Sequence, residues 1–154
     1  MVSWADFAHE QPELARRGEA LLEATGLCML GTLRANGYPR ISPVEPLLHA
    51  GQLYLGMMWQ SRKARDLLRD PRCVVHNAHA DKKGTDGDFK LYGLARDVQD
   101  ADEREGYCRA LEAKIGWRPD NDEFHLFKVD VTEVGWFRVV DQAHETEAWR
   151  PGSP

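Results

Sequence analysis

The chain has 154 residues, of which 42% are hydrophobic and 29% charged, with a formal net charge of −5; this suits one soluble domain with a sizeable core. The acidic balance argues against unspecific binding to nucleic acid or an anionic membrane. No apolar run is long enough to span a bilayer, and the start Met1-Val2-Ser3-Trp4-Ala5-Asp6 lacks the basic and apolar regions of a signal peptide.

Ser3 with Asp6 three residues on reads as a capping box. Pro12 suits a first helical position, and Leu14, Gly18, Leu21 and Leu22 follow at helical spacing before Gly26. A helix over Pro12 to Ala24 is expected, lying over one opening of the β structure that follows. Leu27 to Arg34 is mostly apolar and reads as a buried strand. Asn36-Gly37 then signals a hairpin, since both positions accept positive φ. The return strand, Pro39 to His49, is interrupted by Pro39, Pro43 and Pro46, so it should be bulged or at an edge, with backbone groups left free to face a ligand. Ala50-Gly51 turns the chain into a strand over Gln52 to Met58.

The next stretch organises the reading. Ser61 is a good N-cap, Ala64, Leu67 and Leu68 form a short apolar stripe, and Pro71 stops the helix. The charges run against the helix dipole, with Arg62 and Lys63 in the first turn and Asp70 at the end; each misplacement costs a few tenths of a kcal/mol or more. An anion at the N-terminus would reverse the first term, meeting free N–H groups, the Ser61 hydroxyl and two cations together. The alternative is a solvated basic turn.

Arg72 to Ala78 reads as a strand, His79 to Asp88 as a polar loop and Asp88 to Val98 as a long strand. Asp100 or Asp102 caps a helix through Ile115, carrying Tyr107, Leu111 and Ile115 on one face and ending at Gly116. After the loop Trp117 to Asp122, His125 to Thr132 alternates as a half-buried strand. Gly135 marks a bulge or turn before Trp136 to Val140. The polar tail 141–154 is expected to be mobile unless Trp149 docks. Strands joined by tight turns argue antiparallel pairing, hence a barrel or sandwich of six or seven strands rather than a doubly wound sheet. The expected division is a helical segment at 1–26, a β domain at 27–140 and a tail at 141–154.

Cys28, Cys73 and Cys108 are far apart and odd in number, the pattern of buried free thiols in a cytoplasmic protein. His76 and His79 fall at a strand end, where solvated or hydrogen-bonded histidines outweigh metal ligation, and no metal site is expected. His49 and His125 read as structural. Met57, Met58 and Trp59 suit core or a protomer interface, with stacking near a bound ring as the alternative. No residue is assigned as a catalytic acid, base or nucleophile.

The order Asn36-Gly37, Pro39-Arg40-Ile41-Ser42-Pro43-Val44, Leu53-Tyr54-Leu55, Ser61-Arg62-Lys63-Ala64-Arg65-Asp66-Leu67 and Asp70-Pro71-Arg72 resembles the pyridoxamine 5′-phosphate oxidase-like flavin-binding split-barrel family. The Ser-Arg-Lys followed by Asp-Pro-Arg is its specific part. The resemblance covers Leu27 to Val98 best, and the ending Ala148-Trp149-Arg150-Pro151-Gly152 also looks like the tail of many members. It implies a mainly β (α+β) fold, a six-stranded antiparallel split β-barrel with peripheral helices. It also implies a homodimer with FMN in clefts between protomers and hydride or electron transfer to a small organic substrate. By the same resemblance Arg62 and Lys63 hold the flavin phosphate beside Ser61, while Ser42, Pro43, Val44 and Glu45 line the isoalloxazine through their backbone. Gly56 and Met57 meet the ribityl chain or ring. Asp88 stands where the oxidase has a cofactor-contacting glutamine, and Ser42 replaces a phosphate-binding arginine. Trp149 and Arg150 are expected on the partner's cofactor, with a disordered tail as the alternative. The vitamin-binding Arg-x-His of the true oxidase has no counterpart, so pyridoxal phosphate synthesis is not expected. The alternatives are the deazaflavin F420, whose polyglutamate tail favours a broader basic groove from Arg40, Arg65 and Arg69, or a flavin- or haem-binding module without turnover, with His76, His79 or His125 as haem ligand candidates.

Overall fold

The structure, a computed structural model, describes residues 1–153. Two helices open the chain, α1 (Trp4–Glu10) and α2 (Pro12–Glu23). The Ser3–Asp6 capping box is present in full and Pro12 takes the first turn of α2. Eight strands follow, two more than the six expected: β1 (Cys28–Leu33), β2 (Pro39–Val44), β3 (Pro46–His49), β4 (Gln52–Met58), β5 (Arg72–Asn77), β6 (Asp88–Asp97), β7 (Phe124–Val140) and β8 (Ala143–Trp149). Helix α3 (Arg62–Arg69) lies between β4 and β5, and α4 (Ala101–Ile115) between β6 and β7.

All pairings are antiparallel, in the order β2-β1-β5-β6-β7-β4-β3, with β8 added on β7. The strands at the two ends of this order, β2 and β3, are consecutive in sequence and joined by Glu45 alone. Both edges must therefore lie side by side, which rolls the sheet into a split barrel. The proline-broken return strand is thus two strands. Val44 ends the ladder with Cys28, Pro46 begins the ladder with Leu55, and Glu45 belongs to neither.

Other expectations are corrected by the turns. At the first hairpin only Gly37 has positive φ (+84°); the Asn36 side chain instead accepts from Tyr38 N at 3.1 Å. Ala50 (φ 48°) and Gly51 (φ 74°) both adopt left-handed backbone, as do Asp141 (φ 47°) and Gln142 (φ 67°) between β7 and β8, the pattern of the tight hairpin turns that match strand twist. The tail is consequently a paired strand. Gly135 causes no break, since β7 runs continuously through it. The irregularity falls in the β6–β7 ladder at Tyr92/Gly93, opposite Val131 and Glu133.

The main core gathers Trp4, Phe7, Leu14 and Leu22 from the first helices with Leu30, Val75, Phe89, Phe127 and Trp149. A second cluster, Leu47, Tyr54, Tyr107, Leu111, Phe124 and Leu126, lies under α4. The start of β7 is therefore buried on both faces, because α4 covers the one expected to face solvent. Asp100 caps α4 and Gly116, at φ 71°, ends it, while Ile115 stays 43% exposed.

Candidate functional site

Helix α3 opens as expected, with Ala64 N donating to the Ser61 hydroxyl at 3.4 Å. The residue before it, Gln60, is held at φ 56°, a strained setting for a non-glycine of the kind that gathers at functional sites. The helix's inward stripe is Ala64, Asp66 and Leu67 rather than Ala64, Leu67 and Leu68; Leu68 is half exposed and Asp66 is 3% exposed.

Asp66 anchors the site, and the sequence reading missed it. Its carboxylate accepts from Thr32 Oγ1 at 2.9 Å, Arg40 Nε at 2.6 Å and Arg69 Nη2 at 3.0 Å. Burial pushes its pKa up, but the hydrogen bonds from Arg40, Arg69 and Thr32 together outweigh it, and the net shift is downward. Around this acid a groove of about 340 Å³ is lined by Arg34, Arg40, Arg62, Arg65 and Arg69 with Asn36. Arg62, Arg65 and Arg69 share one face of α3 by their i, i+3, i+7 spacing. Among the described residues, Arg34, Arg62 and Arg65 have no carboxylate partner, so the groove carries five guanidinium groups against one carboxylate. In a chain of net charge −5 this is a local inversion of sign, suited to a phosphate or a polycarboxylate.

The two cations of the Ser-Arg-Lys stretch diverge. Arg62 faces the groove, whereas Lys63 Nζ donates to the Pro43 carbonyl at 2.7 Å. Burial pulls the Lys63 ammonium below its ordinary value, with Cys28 nearby opposing. Lys63 thus ties α3 to the end of β2, where Ser42 is half-buried, Val44 buried and Glu45 exposed. The break between β2 and β3 leaves the Glu45 backbone outside both ladders.

The remaining expected site residues sit as follows. Met57 is a core residue. A Cβ on Gly56 would stand 2.1 Å from the Tyr107 hydroxyl oxygen, so glycine is demanded there by α4. Asp88 pairs with His79 Nε2 at 2.7 Å. Trp149 is buried within its own chain, its ring 5.0 Å from that of Phe7 and its Nε1 donating to Glu10 at 2.9 Å.

On the other side of α3, beside Leu68, lies a cleft of about 790 Å³ between Trp59 and Gln60 at the end of β4 and Arg104, Cys108 and Arg118 beyond. His125 forms part of its wall, stacked on Trp59 with ring centroids 4.5 Å apart and planes 8° apart. Its Nε2 is buried and, among the described residues, has no hydrogen-bond partner. Burial lowers the His125 pKa, with Asp97 opposing and Arg104 assisting. This cleft has no sequence signal, because its walls come from β4, α3, α4 and β7.

The fold is thus an antiparallel split barrel with an arginine-lined groove at the start of a helix. Residues 14–136 match the family model described as pyridoxamine 5′-phosphate oxidase, and the chain belongs to that family. Among curated proteins, none matches. Among solved structures, the chain is similar to a haem-binding protein from Mycobacterium smegmatis, at 20% identity and TM-score 0.70, covering 91% of this chain and 59% of that one. It thus spans less than two thirds of that relative. It is also similar to a Clostridium acetobutylicum protein related to general stress protein 26 of B. subtilis, of the pyridoxinephosphate oxidase family, at 20% identity and TM-score 0.65, covering 87% of this chain and 92% of that one. A nimC/nimA family protein from Clostridium acetobutylicum gives 17% identity and TM-score 0.64, covering 87% and 92%. At these identities the likeness is one of fold. No helix of the described residues is long and apolar enough to cross a membrane.

Proposed function

We propose that this protein is an FMN-binding oxidoreductase, acting as a homodimer on a small organic substrate. The observation that carries the reading is the set of uncommitted arginines at the start of α3, Arg62 and Arg65 with Arg34 across the groove; the backbone free at Glu45 stands at the far end of β2 from them. Arg62 and Arg65 would hold the phosphate, with Ser61 at the helix start. Lys63, fixed on the Pro43 carbonyl, would hold α3 against the strand whose Ser42 to Glu45 backbone faces the ring. The flavin, when bound, supplies the hydride or electron chemistry. The substrate would enter through the cleft at Trp59 and His125.

A second reading, the deazaflavin F420, is favoured by one observation: five arginines line the groove, more than a single phosphate needs. A polyglutamate tail would use Arg34, Arg40 and Arg69 as well.

Titration of cofactor-stripped protein with FMN, F420 and haem in parallel tests the reading. FMN is expected to bind with one flavin per chain. Replacing Arg62 and Arg65 together by Gln should weaken binding by at least tenfold per residue, since a hydrogen bond to a charged group is worth about 1.5–3 kcal/mol. Affinity unchanged in the double variant, or binding of haem alone, would overturn it. A monomer by light scattering at micromolar concentration would overturn the dimer.

A further inference from the structure

At the opposite end of β1 from the arginine groove, β5 and β6 are joined by the loop 78–87. His76 lies near the end of β5, His79 just beyond it, and Asp88 opens β6. One ring nitrogen from each histidine and one Asp88 carboxylate oxygen all lie within 4.8 Å of one another, the one such group among the described residues. We propose that His76, His79 and Asp88 form a binding site for a divalent first-row transition metal such as Zn²⁺.

Three features support this. The donor set is two imidazoles and a carboxylate, a combination that suits Zn²⁺ and its neighbours and leaves a coordination position open to water. The His76 ring is already oriented: Nδ1 lies 2.7 Å from the Asn77 carbonyl. A carbonyl only accepts, so the proton sits on Nδ1 and the lone pair on Nε2. A backbone carbonyl holding the second nitrogen is the usual outer support of a metal-ligating histidine. The frame is also fixed. The buried Asn77 side chain donates to the Gly87 carbonyl at 3.2 Å and accepts from Phe89 N at 2.7 Å, clamping both roots of the loop. Gly87, at φ 103° with no room for a Cβ against Trp136, completes the clamp. The 2.7 Å contact of His79 Nε2 with Asp88 Oδ1 keeps those two ligands together. Closure around an ion brings three ligand atoms that already lie within 4.8 Å of one another to metal–ligand distances of about 2.0–2.2 Å.

The site shares no residue with the arginine groove, and its test uses the full chain without cofactor. Calorimetric titration with Zn²⁺ is expected to give one ion per chain, and Co²⁺ substitution a spectrum with nitrogen and oxygen ligands only. His79→Ala and Asp88→Asn should each weaken Zn²⁺ binding at least tenfold, while the Arg62 and Arg65 double variant should leave it unchanged. Thermal melts of each variant without metal separate lost ligation from lost folding, and His76→Gln gives a third ligand removal should either variant fail to fold. Zn²⁺ bound equally by wild type and variants, no binding by wild type, or a cobalt–thiolate band pointing to a cysteine would overturn the proposal.

Discussion

Replacement of Asp66 by Asn separates the electrostatic frame of the groove from its shape. The Asp66 side chain is 4% exposed and accepts from Thr32, Arg40 and Arg69. Asn is nearly isosteric and can still accept from Thr32, but it removes the charge that Arg40 and Arg69 share. Breaking a buried ion pair by removing one partner costs about 3–5 kcal/mol. The Arg69 side chain is 42% exposed and can turn to water, whereas Arg40, 23% exposed, is more confined. The expected loss is therefore about 2–3 kcal/mol, or about 5–10 °C in Tm for a domain of this size. Asp66 titrates below its ordinary value of 3.8 in the folded protein. Its contribution is thus present above that value and fades as pH falls through the lower folded value. Denaturant melts across pH should show a constant gap between wild type and variant from about pH 5 to 8 that narrows below about pH 4. A loss under about 0.5 kcal/mol, the range of an ordinary surface substitution, or a gap indifferent to acid, would refute the view that Asp66 organises the arginines.

Gly56→Ala should destabilise by about 1–3 kcal/mol through overpacking against Tyr107. Because the nearest atom is the hydroxyl oxygen, Tyr107→Phe should recover part of that loss in the same denaturant titration. Burial pushes the Cys28 and Cys73 thiols up to about 12, so neither should react with an aromatic disulfide reagent at pH 8 until the protein is unfolded. Trp149→Ala should cost about 3–5 kcal/mol in urea unfolding; a cost below about 1 kcal/mol would mean that β8 and α1 do not lean on each other through this ring.

Local chemistry was readable at the helix ends. Ser3, Ser61 and Asp100 cap helices as their short polar side chains demand, and Gly116 ends α4 in left-handed backbone. Strand β8 was not readable because six of its seven residues are exposed, leaving no alternation to detect. The burial of both faces at the start of β7 depends on α4, which no periodicity within β7 reports. Asp66 was hidden for a related reason. A carboxylate on a helix full of arginines reads as solvated until Thr32 and Arg40, distant in sequence, fold beneath it. The divergence of Arg62 and Lys63 likewise follows from where the Pro43 carbonyl stands, not from their adjacency.

The lone residue between β2 and β3 makes this chain a hoop closed by a single link. Pairing of β2 with β1 and of β3 with β4 are both local hairpin events, yet the link forces them to agree in height and tilt. Neither hairpin can shift its register without dragging the other, so slippage at either rim is resisted by a covalent bond rather than by side chains alone. Several glycines inserted beside Glu45 would keep every ladder available but let the rims part. The seam would then gape where the ring of a bound cofactor is expected to rest, and binding would suffer before stability did.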